Sequence, residues 1–335
     1  MSESLSATPA ASEIALNGFT RSEGGNVELP PSDRARRKMN GGIKSGLEVT
    51  LLSGPAVIVF VAFVIVPVIV ALYYSFYSWK GFGPATNFVG WTNYKWTLTN
   101  PAFWDAVKHN GIIMVLSLIM QGPLAILLAL LLNQKIRGRS IIRVLVFVPY
   151  VISEAIVGIG MALMLQDKGA VNAILGAHVG WMSNPKVAIW TLMFILTWKY
   201  IGFAIILMLA GLQGVPEELS EAAAVDGASY WQIQWHIMLP LLKPTIKIWA
   251  FLSIIGSMQL FDLVYVIWGQ YIANIAGVST MAYFMAQNGR LSGQLGRGSA
   301  IAIIVFIISL IVAFAYQRFV LNRDTEGALT EASEE

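Results

Sequence analysis

From residue 51 onward the chain alternates long apolar runs with short polar connectors. Positions 51–72 form 22 consecutive uncharged residues, about 33 Å as a helix at ~1.5 Å per residue, enough to cross a bilayer core. Comparable runs follow at about 111–132, 144–165, 188–212, 248–268 and 299–316. The pattern predicts an all-α polytopic membrane protein with six transmembrane helices. Pro55 lies near the start of the first run, and Pro67 is expected to kink it. Tyr73, Tyr74, Tyr77 and Trp79 then read as an interfacial aromatic belt. Residues 1–46 show no apolar periodicity, are rich in Ser, Glu, Gly, Ala and Pro, and read as a disordered tail. The organisation expected is a tail at 1–46, a membrane domain at 47–322 and a second tail at 323–335. A secretory signal is not expected, because the first apolar run begins late and is too long.

Composition agrees with this reading. Of 335 residues, 56% are hydrophobic and 12% charged, against about 25% charged in a soluble domain. There is no cysteine, so neither disulfides nor a thiolate metal site can form. A net charge of +3 is too small to suggest a nucleic-acid partner.

The placement of the charges carries more than their sum. With the N-terminus cytoplasmic, the inner segments hold 14 lysines and arginines and the outer loops 7. The inner set includes Arg34, Arg36, Arg37, Lys38 and Lys44 in the tail. It continues with Lys135, Arg137, Arg139 and Arg143 after the second run, Lys243 and Lys247 before the fifth, and Arg318 and Arg323 at the end. This bias favours both termini inside and puts the 213–247 connector on the cytoplasmic face.

That connector is the longest polar segment between two apolar ones. Pro216 suits a first helical position, and Glu217 and Glu218 offset the positive end of the helix dipole. Leu219, Ala222 and Ala223 share one small-residue face. Gly227 is a natural C′ residue, Ser229 with Gln232 reads as a capping box, and Pro240 is expected to end the second helix. An ordinary interfacial helix pair would also fit these signals. The spacing of Glu221, Ala222, Ala223, Gly227, Ile237, Leu239 and Pro240 goes further. It resembles the cytoplasmic coupling loop (EAA motif) of permease subunits in binding-protein-dependent ABC importers.

The resemblance implies a helix-turn-helix coupling loop between spans four and five that docks on a separate ATPase. In that reading Glu221 and Asp226 belong to the docking loop with the residues above. It also implies a second, homologous permease, two ATPase subunits and an extracytoplasmic solute-binding protein, in the plasma membrane of a bacterium or archaeon. Phe88-Val-Gly-Trp-Thr-Asn-Tyr94 and Asn100-Pro-Ala-Phe-Trp104 resemble the first outer loop of sugar permeases. They read either as aromatic anchoring at the interface or as a platform for an extracytoplasmic binding protein. Gln259-x-Phe-Asp-x-Val-Tyr265 is similar to a fifth-span signature of maltose-permease-like proteins. Trp198-Lys-Tyr-x-Gly-Phe203 and Pro149-Tyr-Val-Ile-Ser-Glu154 resemble carriers of β-linked di- and oligosaccharides. Trp268-Gly-Gln-Tyr271 departs from the family's usual Thr-Gly-Gly-Pro.

No lysine follows a glycine, so a phosphate-cradling Gly-Lys-Ser/Thr is absent. His109, His178 and His236 are scattered, and no Gly-x-Ser-x-Gly elbow occurs. The chain is therefore expected to carry no catalysis, cofactor or metal of its own. Ionisable residues inside spans are the remaining candidates for chemistry. Glu154 and Lys199, at similar depth on successive spans, could form a buried pair or line a translocation path. Gln259 and Asp262, three apart, would share a helical face, with Tyr200 and Tyr265 supplying rings beside them. A carboxylate, an amide and aromatics suit a neutral polyol, while the same polar groups could instead hold helices together. Two further readings remain from sequence: an ion-coupled secondary carrier using Glu154, Asp262 and Lys199 as a relay, and a non-transporting scaffold.

Overall fold

The computed structural model describes residues 51–134 and 137–321. The expectations for 1–46 and 323–335, the tail arginines and lysines, Lys135 and Arg323 lie outside the described residues.

Regular structure among the described residues is helical: α1 Leu51–Ser75, α2 Thr92–Thr99, α3 Pro101–Leu132, α4 Arg139–Val151, α5 Glu154–Leu165, α6 Ala170–Leu175, α7 Pro185–Gln213, α8 Glu217–Val225, α9 Tyr230–Ile233, α10 Lys243–Gln259, α11 Asp262–Ile275, interrupted by a kink at Gly269, α12 Met281–Ala286 and α13 Leu295–Leu321. Among the described residues five helices are long and apolar enough to cross a membrane, and six when the bent pair α4 with α5–α6 counts as one span.

Two spans begin earlier than hydropathy alone suggests, for one reason. Asn100 and Asn184 are N-caps whose side chains accept from the N–H groups of Ala102 and Lys186, each at 3.0 Å. Pro101 and Pro185 follow at the first helical position, where no N–H is needed. These polar first turns dilute the apolar signal without ending the helix.

Helix α7 is the spine. Leu192, Met193 and Ile195 sit in one core with Leu263, Trp268 and Tyr283. Ile205, Met208 and Leu209 sit in a second with Ala125, Ala129, Leu242 and Trp249. Trp190, Phe194 and Trp198, spaced four apart on one stripe, stay exposed, and the fold packs around the rest of the helix. A third core gathers Phe103, Phe284, Ile301 and Ile304. Asn110 ties helices near it: its amide donates to Ser257 O at 2.6 Å, and its oxygen accepts from Met281 N at 2.7 Å.

Among the described residues five helical stretches widen by one residue, and three of them share a cause in the sequence: Val61–Ile65, Ser117–Gln121 and Gln234–Met238. Each ends two residues before a proline, Pro67, Pro123 and Pro240 respectively. Proline offers no N–H and crowds the carbonyl four residues back, and a wider turn relieves both faults without breaking the helix. Pro240 therefore does not end its helix as expected; the chain continues through Leu239–Leu241 and reaches α10 after Leu242.

Two spans expected to be continuous are broken. The third bends by 92° between α4 and α5, with Ile152 and Ser153 extended at the break. The fifth stops at Gln259 and restarts at Asp262 across Leu260 and Phe261.

The aromatic-rich stretch at 78–110 divides between buried and exposed residues. Asn93 donates to Ser75 O and Tyr77 O, Tyr94 bonds Ser75, and Phe103 is fully buried, so these three are structural. Phe88, Trp91 and Trp104 stay exposed. In the departing segment, Trp268 donates to Met182 O at 2.9 Å, and the Tyr283 hydroxyl donates to Gly269 O and Gln270 O.

Candidate functional site

Both breaks open onto one cavity of ≈ 420 Å³. Glu154 is the first residue of α5 and Asp262 the first of α11. The two helices lie side by side, Gly158 admitting Val266 where a Cβ would meet it at 2.7 Å. Two carboxylates from neighbouring helix starts thus enter the same space. Tyr150, Tyr200, Phe203, Phe261 and Trp249 supply ring faces, and Gln121, Gln259, Ser117, Ser253 and Ser257 supply amides and hydroxyls. Tyr150 stacks on Phe203 at 5.1 Å, and Phe261 on Tyr265 at 5.3 Å.

Four of the expected pathway residues, Glu154, Tyr200, Gln259 and Asp262, therefore line the cavity together. Tyr265 stands behind Phe261 rather than in the lining. Gln259 and Asp262 meet there for a different reason from the one expected. They do not share a helical face, because one ends α10 and the other begins α11.

Lys199 is the larger correction. It is 2% exposed and does not line the cavity. Its ammonium donates to Ile152 O at 2.7 Å and to Pro149 O and Tyr150 O at 3.4 Å. The break in span three leaves carbonyls without amide partners in hydrocarbon. A buried cation gathers them. Glu154 takes its hydrogen bond from the Tyr200 hydroxyl instead. The cause is local: α7 approaches α4 so closely at Gly202 that a Cβ there would lie 2.4 Å from Val146 O. That contact sets Lys199 and Tyr200 against the break.

Gln121, Ser117, Tyr150, Phe203, Trp249 and Ser253 were not among the expected site residues. Gln121 and Ser117 had a signal, two polar residues four apart in an otherwise apolar run. The widened turn of α3 carries both.

The second region is the hairpin of α8 and α9. Pro216 is its N-cap, one position before the helix proper, while Glu217 and Glu218 do occupy the first turn. Helix α8 closes as a Schellman motif: Ala228 N donates to Ala223 O at 2.9 Å and Gly227 N to Ala224 O at 3.1 Å. Gly227 has φ +84° and open space around it. Gln232 accepts from Ser229 N at 2.7 Å, completing the capping box. The expected smooth alanine face is divided. Ala223, Ala228 and Ile237 pack on the second core, whereas Glu221, Ala222, Val225, Asp226 and Pro240 are exposed; Leu239 is half-buried. The Tyr230 hydroxyl donates to Leu130 O at 3.0 Å and Arg143 to Leu132 O at 3.2 Å. Both carbonyls belong to the open C-terminal turn of α3.

Residues 121–324 match the family model described as "Binding-protein-dependent transport system inner membrane component". The trehalose/maltose transport system permease protein MalF of Thermococcus litoralis is 32% identical over 267 residues, covering 78% of this chain and 90% of that protein. The arabinooligosaccharides transport system permease protein AraP of Bacillus subtilis is 32% identical over 270 residues, covering 78% and 85%. Among solved structures, a bacterial alginate ABC transporter in complex with an alginate pentasaccharide-bound periplasmic protein shares the fold. Its TM-score is 0.72 at 23% identity, over 85% of this chain and 97% of that one.

Proposed function

The chain belongs to the family of binding-protein-dependent transport system inner membrane components, and from that membership we propose that it is the permease subunit of an ATP-driven sugar importer. The sugar is a di- or oligosaccharide, delivered by an extracytoplasmic binding protein and released to the cytosol by alternating access. The names of the relatives support a carbohydrate cargo. So does a cavity that combines ring faces with carboxylates, amides and hydroxyls.

In this reading the chain forms half of a channel with a second, homologous permease. Two ATPase subunits, on separate chains, grip the exposed side of the hairpin. Glu221 and Asp226 supply polar contacts, and Gly227 sets the turn. Ala222 and Val225 present the surface that meets the ATPase. Ala223, Ile237 and Leu239 brace the hairpin from behind, while Pro240 stays on the exposed side. The excess of lysine and arginine in the connectors at 133–143 and 243–247 supports both termini on the cytoplasmic side. The boundaries at 47 and 322 belong to the same proposal.

One observation carries the reading. A rigidly closed hairpin exposes the loop motif on one side and is bonded on the other to the span whose widened turn lines the cavity. A relay of protons or ions through Lys199 has no such support, since its ammonium is committed to backbone carbonyls. The test is uptake in cells. Transport that stops when ATP is depleted and survives collapse of the proton gradient is expected; the reverse would refute the proposal.

A further inference from the structure

The cavity's charge balance is one-sided. Among the described residues, two carboxylates, Glu154 and Asp262, are in its lining, and no lysine, arginine or histidine is. The nearest cation, Lys199, points its ammonium at the carbonyls of α4 and touches the cavity only through the Tyr200 ring, 5.4 Å from its centre. Helix ends do not redress this. Each break contributes the C-terminal end of one helix and the N-terminal start of the next, and their opposed partial charges largely cancel. One buried positive charge therefore stands behind two negative ones.

We infer that this cavity sorts sugars by charge, admitting neutral and basic sugars and turning away those that carry carboxylate or sulfate. The inference rests on the reading that sugar passes here. A sugar ring finds aromatic faces at Tyr150–Phe203 and at Phe261. Its hydroxyls can donate to Asp262 and to the Glu154 oxygen not engaged by Tyr200. An amino sugar adds an ammonium that the same carboxylates accept. A uronate brings a third negative group into a space of low dielectric and meets no counter-charge in the lining. A cleft lined by one sign of charge concentrates the opposite sign by roughly tenfold or more.

The absence of cysteine from the chain supplies the test. Ser253→Cys places a lone thiol of this chain in the cavity wall, and Ser117→Cys serves if that variant does not assemble. In the full complex in nanodiscs, labelling by cationic trimethylammonium-ethyl and anionic sulfonatoethyl methanethiosulfonate is followed by mass spectrometry of this chain. Each rate is divided by that of the same reagent with free mercaptoethanol. The cationic reagent should be favoured by roughly tenfold, and Glu154→Gln with Asp262→Asn should abolish the preference. Neutral trisaccharides or a glucosamine trimer should slow labelling at a concentration where trigalacturonate does not. A normalised ratio at or below one, or equal protection by trigalacturonate, overturns the charge filter alone. No protection by any sugar, with the ratio intact, overturns the sugar pathway and the inference with it.

Discussion

The Lys199 ammonium lies 2.7 Å from the carbonyl oxygen of Ile152 and leaves Glu154 to the hydroxyl of Tyr200. A lysine and a glutamate on successive spans thus divide the work of one helix break. The cation holds the end of α4, and the carboxylate begins α5 and faces the cavity.

Separate roles predict separate phenotypes. Lys199→Met strands buried carbonyls, which costs about 1–3 kcal/mol, and should lower the thermal unfolding midpoint of the assembled complex. Glu154→Gln keeps an oxygen acceptor for Tyr200 and should leave that midpoint nearly unchanged while altering transport. Equal destabilisation by the two variants would restore an ion pair as the main interaction.

The close approach at Gly202 is steric. A Cβ there would sit 2.4 Å from Val146 O and 2.9 Å from the Cα of Phe147. Gly202→Ala should therefore push α7 from α4 and cost about 1–3 kcal/mol, the usual range for overpacking. Fluorescence-detected chromatography after heating would show it; wild-type behaviour would mean that the two helices part easily.

Neighbouring alanines of the hairpin should respond differently. Ala222 is exposed, so Ala222→Leu should leave stability within about 0.5 kcal/mol but weaken co-purification of the ATPase. Ala223 packs on the second core, so Ala223→Leu should destabilise the complex as well. Gly227→Pro cannot adopt φ +84° and should abolish ATPase coupling while membrane insertion, read by fractionation, persists.

Tyr230→Phe removes one hydrogen bond to Leu130 O, worth about 0.5–1.5 kcal/mol. The hairpin keeps its exposed face and its Schellman closure. ATP hydrolysis should continue while the sugar moved per ATP falls. A parallel loss of both activities would assign Tyr230 to docking instead of transmission.

Much of this was legible in the residues. Six apolar runs give the six spans, counting the bent pair as one, and Gly227, Ser229 and Gln232 give the hairpin. Glu154, Tyr200, Gln259 and Asp262 stood out as polar groups in apolar surroundings. The breaks did not. Ile152-Ser153 and Leu260-Phe261 contain neither proline nor glycine, and hydropathy reads straight through them. Pro149 lies inside α4, short of the actual break. The role of Lys199 followed from the break, so it could not be read before the break was known. Gly202, Trp249 and Phe203 act through proximity between distant segments, which no local pattern encodes.

The widened turn at Ser117–Gln121 also sets a clock within α3. One surplus residue there retards everything after it by about 100° around the helix axis, and Ala125, Ala129 and Leu130 meet their core only in that phase. Deleting a single residue from the turn would bring the following half round to the wrong hour. It would show Ala125 and Ala129 to lipid and turn the carbonyl that Tyr230 holds away from it, although the hydropathy profile would hardly register the loss.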